Sequence, residues 1–190
     1  MPELYWPLAD HLALRDQLLT AYSTDRGYHD VRHLAEVLER IDELGESSNH
    51  EVVLAAWYHD AIYEGGPDDE ERSAQLAERE LRGTGVDVAE VARLVRLTTT
   101  HDPASDDHPG QVLCDADLAI LAADPARYQE YSDGVRRDYD FVPDADFRAG
   151  RRAVLEELLA RGALFRTQHA RREWDRRARE NLRNEIAALT

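Results

Sequence analysis

Apolar side chains recur every three to four residues in nearly every segment of this chain, while β-branched residues cluster only briefly, as in Thr98-Thr99-Thr100. That period places the apolar positions on one face of a helix and gives no alternation for a strand to use, so the chain is predicted to be all-α. The second helix shows the pattern well: it starts near His29 or Asp30, carries Val31, Leu34, Val37, Leu38, Ile41 and Leu44, and stops at Gly45. A first helix is expected over Leu4 to Ala21. Asn49 is expected to cap a helix from Val52 to Tyr63, whose near-continuous apolarity makes it the central one. Further helices are expected over Glu70 to Arg82, from the Asp87 cap through Leu97, over Val112 to Ala123, from Asp124-Pro125, over Pro143 to Leu159, and over His169 to Leu189. The loop His101 to Gly110, rich in Asp and Pro, separates two of them. No repeat or linker interrupts the pattern, so residues 1–190 are expected to form a single domain, of a length that buries a sizeable core.

Composition narrows the chemistry. All 23 basic residues are arginine, which removes lysine Schiff-base catalysis and the lysine of a phosphate-binding P-loop. A net charge of -16 argues against duplex nucleic acid as a partner. The charge is uneven: residues 148–190 hold 11 arginines against 6 acids, so the C-terminal part either pairs with the acidic remainder or supplies anion-binding groups. No apolar stretch approaches the roughly 20 residues of a membrane span. Met1-Pro2-Glu3-Leu4 has no basic region before an apolar run, and Cys114 is the lone cysteine, so a cytoplasmic location is expected.

Four features carry chemistry: His29 and His33 four residues apart on one helix face, His59-Asp60 in the apolar helix, His101 at a helix end, and Asp115-Ala116-Asp117 inside another apolar run. The histidines could be ligands or ordinary surface and hydrogen-bonded residues. The aspartates are harder to leave uncompensated, because a carboxylate among apolar neighbours needs a cap, an arginine or a metal. Imidazole and carboxylate without thiolate suit Mn, Fe, Co, Ni or Zn, or Mg where carboxylate and water dominate.

The order His33, His59-Asp60, Asp117 resembles the H...HD...D pattern of the HD-domain superfamily of metal-dependent phosphohydrolases. The surroundings extend the resemblance to about Leu4 to Leu189. They are Arg26-Gly27-Tyr28-His29, Trp57 to Tyr63, Asp69 to Ala74, Thr100-His101, Val135-Arg136-Arg137-Asp138-Tyr139 and Ala178-Arg179-Glu180-Asn181-Leu182. The resemblance implies an HD-type helical bundle in which His33, His59, Asp60 and Asp117 ligate a divalent metal, with Asp115 as the alternative should the register differ by two. His29 and His101 lie where two-metal members carry extra histidines, so one or two metals are implied. Tyr63-Glu64 replaces the Glu-Asp pair that follows the motif in alarmone hydrolases of the superfamily, which argues against that activity.

The implied reaction is hydrolysis of a small phosphorylated substrate, a nucleotide or related metabolite, by a metal-activated water. Asp60 would also orient the water. Glu64, Glu70 or Glu71 would be its base, Glu70 first because Asp69-Glu70 sits where the family pattern has its acid. Without lysine, phosphate donors must be arginine, histidine, tyrosine or helix-end N–H groups; Arg26, Arg136 and Arg151 are the arginines of choice, with Tyr139 in the same motif as Arg136. Tyr28, Trp57, Tyr58 and Tyr63 could stack on a base. Two other functions stay open: a di-iron oxygenase using His29, His33, His59, Asp60, His101 and Asp117, and a non-catalytic module sensing a nucleotide or metal. The bundle could also form a homodimer.

Overall fold

Ten α-helices and one short 3-10 turn make up the computed structural model, which describes residues 4–189 and has no strand among them. Met1 to Glu3, part of the segment read above for a leader, and Thr190 lie outside the described residues. The helices are α1 (Leu12–Tyr22), α2 (Val31–Glu43), α3 (His50–Tyr58), α4 (Asp69–Glu80), α5 (Val88–Leu97), α6 (His108–Leu118), α7 (Pro125–Asp138), α8 (Asp144–Ala160), α9 (Gln168–Glu173) and α10 (Asp175–Ala188), with the 3-10 turn at Ala119–Ala122. No described helix is long and apolar enough to cross a membrane.

Side-chain caps set most of the starts. Asp30 accepts from the backbone N–H groups of Arg32 and His33, so α2 begins at Val31 with His33 in its first turn. Asn49, Asp87, Asp107 and Asp124 cap α3, α5, α6 and α7 in the same way. α3 lies at the centre, with every residue from Val52 to Tyr58 buried, and packs against α2, α4, α5 and α6. A second apolar cluster, including Tyr131, Leu155, Phe165 and Leu182, is built from α7 to α10 around the 3-10 turn. Asn181 fixes that turn by donating to the carbonyls of Leu121 (2.8 Å) and Ala123 (2.9 Å).

Several boundaries differ from the sequence expectation. α1 starts at Leu12 rather than Leu4, because Pro7 precedes it and Trp6 and Leu8 are buried as an irregular strap. The helix expected to end at Tyr63 stops at Tyr58, so His59 and Asp60 sit in the turn that follows α3. α6 begins at His108, four residues earlier than expected, and the final helix is broken at Trp174 into α9 and α10.

The Arg26-to-His29 loop lies against α7 through two glycines. A Cβ on Gly27 would stand 2.1 Å from the carbonyl oxygen of Gly134, and one on Gly134 would stand 2.8 Å from that of Gly27. Both clashes are with backbone, which cannot rotate away. Gly27→Ala is therefore expected to cost about 1–3 kcal/mol, the usual range for overpacking. Thermal denaturation checks this, and an unchanged midpoint would show that the loop is not seated as described.

Candidate functional site

Three segments distant in sequence bring four side chains to one point. The start of α2 supplies His33, the turn after α3 supplies His59 and Asp60, and the last turn of α6 supplies Asp117. His33 Nε2 lies 3.1 Å from His59 Nε2, 3.3 Å from Asp60 Oδ2 and 3.1 Å from Asp117 Oδ1. His59 Nε2 lies 3.0 Å from Asp60 Oδ2 and 3.6 Å from Asp117 Oδ1. Donor atoms held at about 2.1 Å around one cation stand about 3.0 Å apart in octahedral and about 3.4 Å apart in tetrahedral coordination, so the separations among His33, His59 and Asp60 fit a single ion. His33, His59 and Asp60 could hold a metal ion.

Protonation supports that fit. His59 Nδ1 is 2.8 Å from the Ala56 carbonyl, which can only accept, so Nδ1 carries the hydrogen and the neutral ring turns the Nε2 lone pair to the cluster. Asp60 Oδ2 is buried and makes no well-formed hydrogen bond, with the imidazole Nε2 atoms of His59 and His33 beside it at 3.0 and 3.3 Å. Two Nε2 atoms 3.1 Å apart cannot both carry a proton towards each other. Burial works against charge on His33 and His59, but Asp60 and Asp117 outweigh it and hold both pKa values above the imidazole range. Burial likewise opposes ionisation of Asp60 and Asp117, and the histidines hold both well below the usual carboxylate range. A proton thus competes with a cation for the same atoms.

The turn carrying Asp60 is held by tertiary bonds. Arg26 donates from Nη1 to the carbonyls of Asp60 (2.7 Å) and His29 (3.0 Å) and from Nη2 to that of Ala61 (3.2 Å). The Tyr22 hydroxyl accepts from Asp60 N–H, and the Ser73 hydroxyl from Ile62 N–H. Arg26 is therefore a clamp on the turn after α3, with its donors spent on carbonyls, rather than a free phosphate donor.

His101 and His29 flank the cluster. His101 adopts a left-handed backbone (φ 49°), unusual for a residue with a Cβ, and its Nε2 reaches Asp117 Oδ2 at 2.7 Å. Arg161 fixes this bend through the carbonyls of His101 and Thr100. His29 stacks on Tyr63 with ring centroids 4.0 Å apart, and its Nδ1 meets Asp138 Oδ2 at 2.9 Å. Asp138 also accepts from the N–H groups of Gly27 and Tyr28, so it sets both the loop and the His29 tautomer. No role was assigned to Asp138 from sequence, although it stands in the quoted Val135-to-Tyr139 motif.

Above the cluster opens a cavity of about 670 Å³, lined at its floor by His29, His59, Asp60, His101 and Asp117. Tyr28, Tyr63, Tyr139, Glu70 and Arg151 also reach it. The Tyr28 hydroxyl is buried without a partner in the described protein.

Other sequence candidates lie elsewhere. Asp115 is turned away from the cluster, accepting from the backbone N–H groups of Arg166 (2.8 and 3.1 Å) and Thr167 (2.7 Å), because residues two apart on a helix point in different directions. Burial pushes its pKa up in spite of those donors. Glu64 is exposed and paired with Arg72, and Glu71 with Arg96, so of the three glutamates only Glu70 lines the cavity. Arg136 donates to the carbonyls of Tyr139 (2.6 Å) and Val142 (3.1 Å) and lies over the Phe147 ring, shaping the cavity wall without entering it. Arg151 reaches the wall with its guanidinium paired to Glu185. Trp57 and Tyr58 are fully buried core residues and offer no stacking face.

No protein-family model, curated protein or solved structure matches the chain.

Proposed function

We propose that the chain is a metal-dependent phosphohydrolase of the HD type, in which His33, His59, Asp60 and Asp117 hold a divalent cation at the floor of the cavity. The observation that carries this reading is the convergence of the His33 and His59 Nε2 atoms and Asp60 Oδ2 at separations suited to one ion, with Asp117 Oδ1 3.1 and 3.6 Å from the two histidines. His29 and His101 stand beside it as ligands for a second ion.

The bound cation would supply Lewis acidity to a phosphoryl oxygen and acidity to a coordinated water. The rest of the chemistry falls to the chain. Asp60 orients the water, and Glu70, in the cavity wall, accepts its proton as oxygen attacks phosphorus. The ester P–O bond breaks, and the leaving alkoxide takes up the proton that Glu70 received from the water.

Asp138 acts through His29, keeping hydrogen on Nδ1 and the Nε2 lone pair available. Asp138→Asn is expected to lower phosphatase activity about 10- to 100-fold, as loss of a carboxylate behind a ligating histidine does. Metal affinity measured alongside should fall with it; unchanged kinetics would remove Asp138 from the site. The experiment that tests the reading as a whole is elemental analysis followed by a panel of phosphate esters with each candidate ion. Two irons per chain and oxygen uptake would instead favour the di-iron oxygenase, which would use the same six side chains.

A further inference from the structure

The walls of the cavity differ in chemistry from its floor. Beyond the histidines and aspartates, Leu118, Ile120, Tyr131 and Val135 form one side, and Phe147, Val154 and Leu158 of α8 form the other. Positions 147, 154 and 158 share one face of that helix, in which Leu155 is the only fully buried residue; Phe147 and Leu158 pack at the edge of the second apolar cluster and, with Val154, turn apolar surface to the cavity.

Charge in the same walls is unsuited to several phosphates. Among the described residues the only arginines lining the cavity are Arg151 and Arg161. Arg151 makes two bonds to Glu185, at 2.8 and 3.1 Å, and Arg161 donates to the carbonyls of Thr100 and His101 and lies 3.5 Å from Glu157. Three acids, Glu70, Asp146 and Glu157, line the cavity as well. A phosphate away from the floor would therefore meet carboxylates and committed cations, whereas an alkyl or aryl group would meet a surface that gains by covering it.

We infer that the substrate is a phosphate monoester with a single phosphate at the floor and an apolar alkyl or aryl body along α7 and α8, not a nucleoside diphosphate or triphosphate. This rests on the reading of the floor as a phosphate-hydrolysing metal centre and adds the class of ester. The cavity volume of about 670 Å³ lies within the usual range for small-molecule sites, about 300–1,000 Å³. Hydrolysis is balanced by water alone: water oxygen bonds to phosphorus, the ester P–O bond breaks, and the alcohol and inorganic phosphate leave.

The test is calorimetric binding of phosphonates, which are not cleaved, to the full chain after Mn2+ titration has measured ion binding by itself. Along methyl-, butyl-, hexyl- and octylphosphonate, affinity should rise by about fourfold per added methylene until the wall is covered. Methylene-bridged analogues of adenosine diphosphate and triphosphate should bind at least about tenfold more weakly than hexylphosphonate. Val154 is 51% exposed, so Val154→Asp can be made without disturbing the core. This variant should flatten the dependence on chain length. Affinity independent of chain length, or tighter binding of the triphosphate analogue, would overturn the inference while leaving the metal centre standing. Failure to bind Mn2+, or failure of every phosphonate to bind the Mn2+-loaded chain, would overturn the phosphohydrolase reading and this inference with it.

Discussion

Asp60→Asn is expected to abolish tight divalent-metal binding and to lower hydrolysis of phosphate esters by about 10³-fold or more, with the helical fold retained. The substitution keeps the shape of the side chain and removes the charge of the buried cluster oxygen that faces both imidazole Nε2 atoms without a well-formed hydrogen bond. Loss of metal-derived transition-state stabilisation, worth several kcal/mol, corresponds to such a factor at about 1.36 kcal/mol per decade. Asp115→Asn provides the contrast. Its carboxylate holds the N–H groups of Arg166 and Thr167, so the substitution should lower thermal stability and leave metal affinity as it was. Metal titration and circular dichroism on both variants separate the two roles. Equal metal affinity in wild type and Asp60→Asn would contradict the assignment.

The largest stability effect is expected where Arg151 meets Glu185. Both side chains are nearly excluded from solvent, at 9% and 8% exposure, and Glu185 also accepts from Tyr128 (2.6 Å) and Ser132 (3.2 Å). Removing one partner strands the other as an uncompensated buried charge, which costs about 3–5 kcal/mol. For a chain of this size each kcal/mol moves the thermal midpoint by about 2–4 °C, so Arg151→Ala should unfold roughly 10 °C lower. Burial opposes ionisation of Glu185, and Arg151 and the two hydroxyls outweigh it, holding its pKa below the usual carboxylate value. A depressed folded-state pKa stabilises above the unfolded pKa, about 4.3, and that contribution disappears as pH falls through the folded value. Glu185→Gln should therefore be much less stable than wild type at neutral pH and converge with it in acid. A pH-independent difference would mean that the pair does not contribute through charge.

How far the sequence reached depended on whether the determining interaction was local. The caps Asp30, Asn49, Asp87 and Asp124 act on N–H groups two or three residues ahead; Asn49 and Asp87 cap as expected, and Asp30 and Asp124 stand at helix starts that the sequence placed there or one residue away. The end of α3 was illegible, because apolarity runs on through Ala61 and Ile62 while the turn is imposed by Tyr22, Arg26 and Ser73 from other parts of the chain. Asp107, Pro109 and Gly110 read as loop, yet an aspartate cap with proline in the first turn is a sound helix start.

The same distinction governs the site. Histidines and aspartates in apolar helices were legible as a group, because buried charge demands a partner whatever the fold. Which of Asp115 and Asp117 faces the cluster depended on helix rotation. The arginines were the least legible, since Arg26 and Arg136 spend their donors on carbonyls brought close only by folding. Asp138 carried no apolar context to mark it, and its importance comes from meeting a loop more than a hundred residues away.

Calorimetric titration of metal-free wild-type chain with Mn2+ and Zn2+ at neutral pH and again near pH 5 tests the metal centre most directly. One or two ions bound per chain, with affinity lost at the lower pH as protons reclaim His33 and His59, is the expected result. No binding of either ion at neutral pH would contradict it, leaving the cluster as a buried network of shared protons.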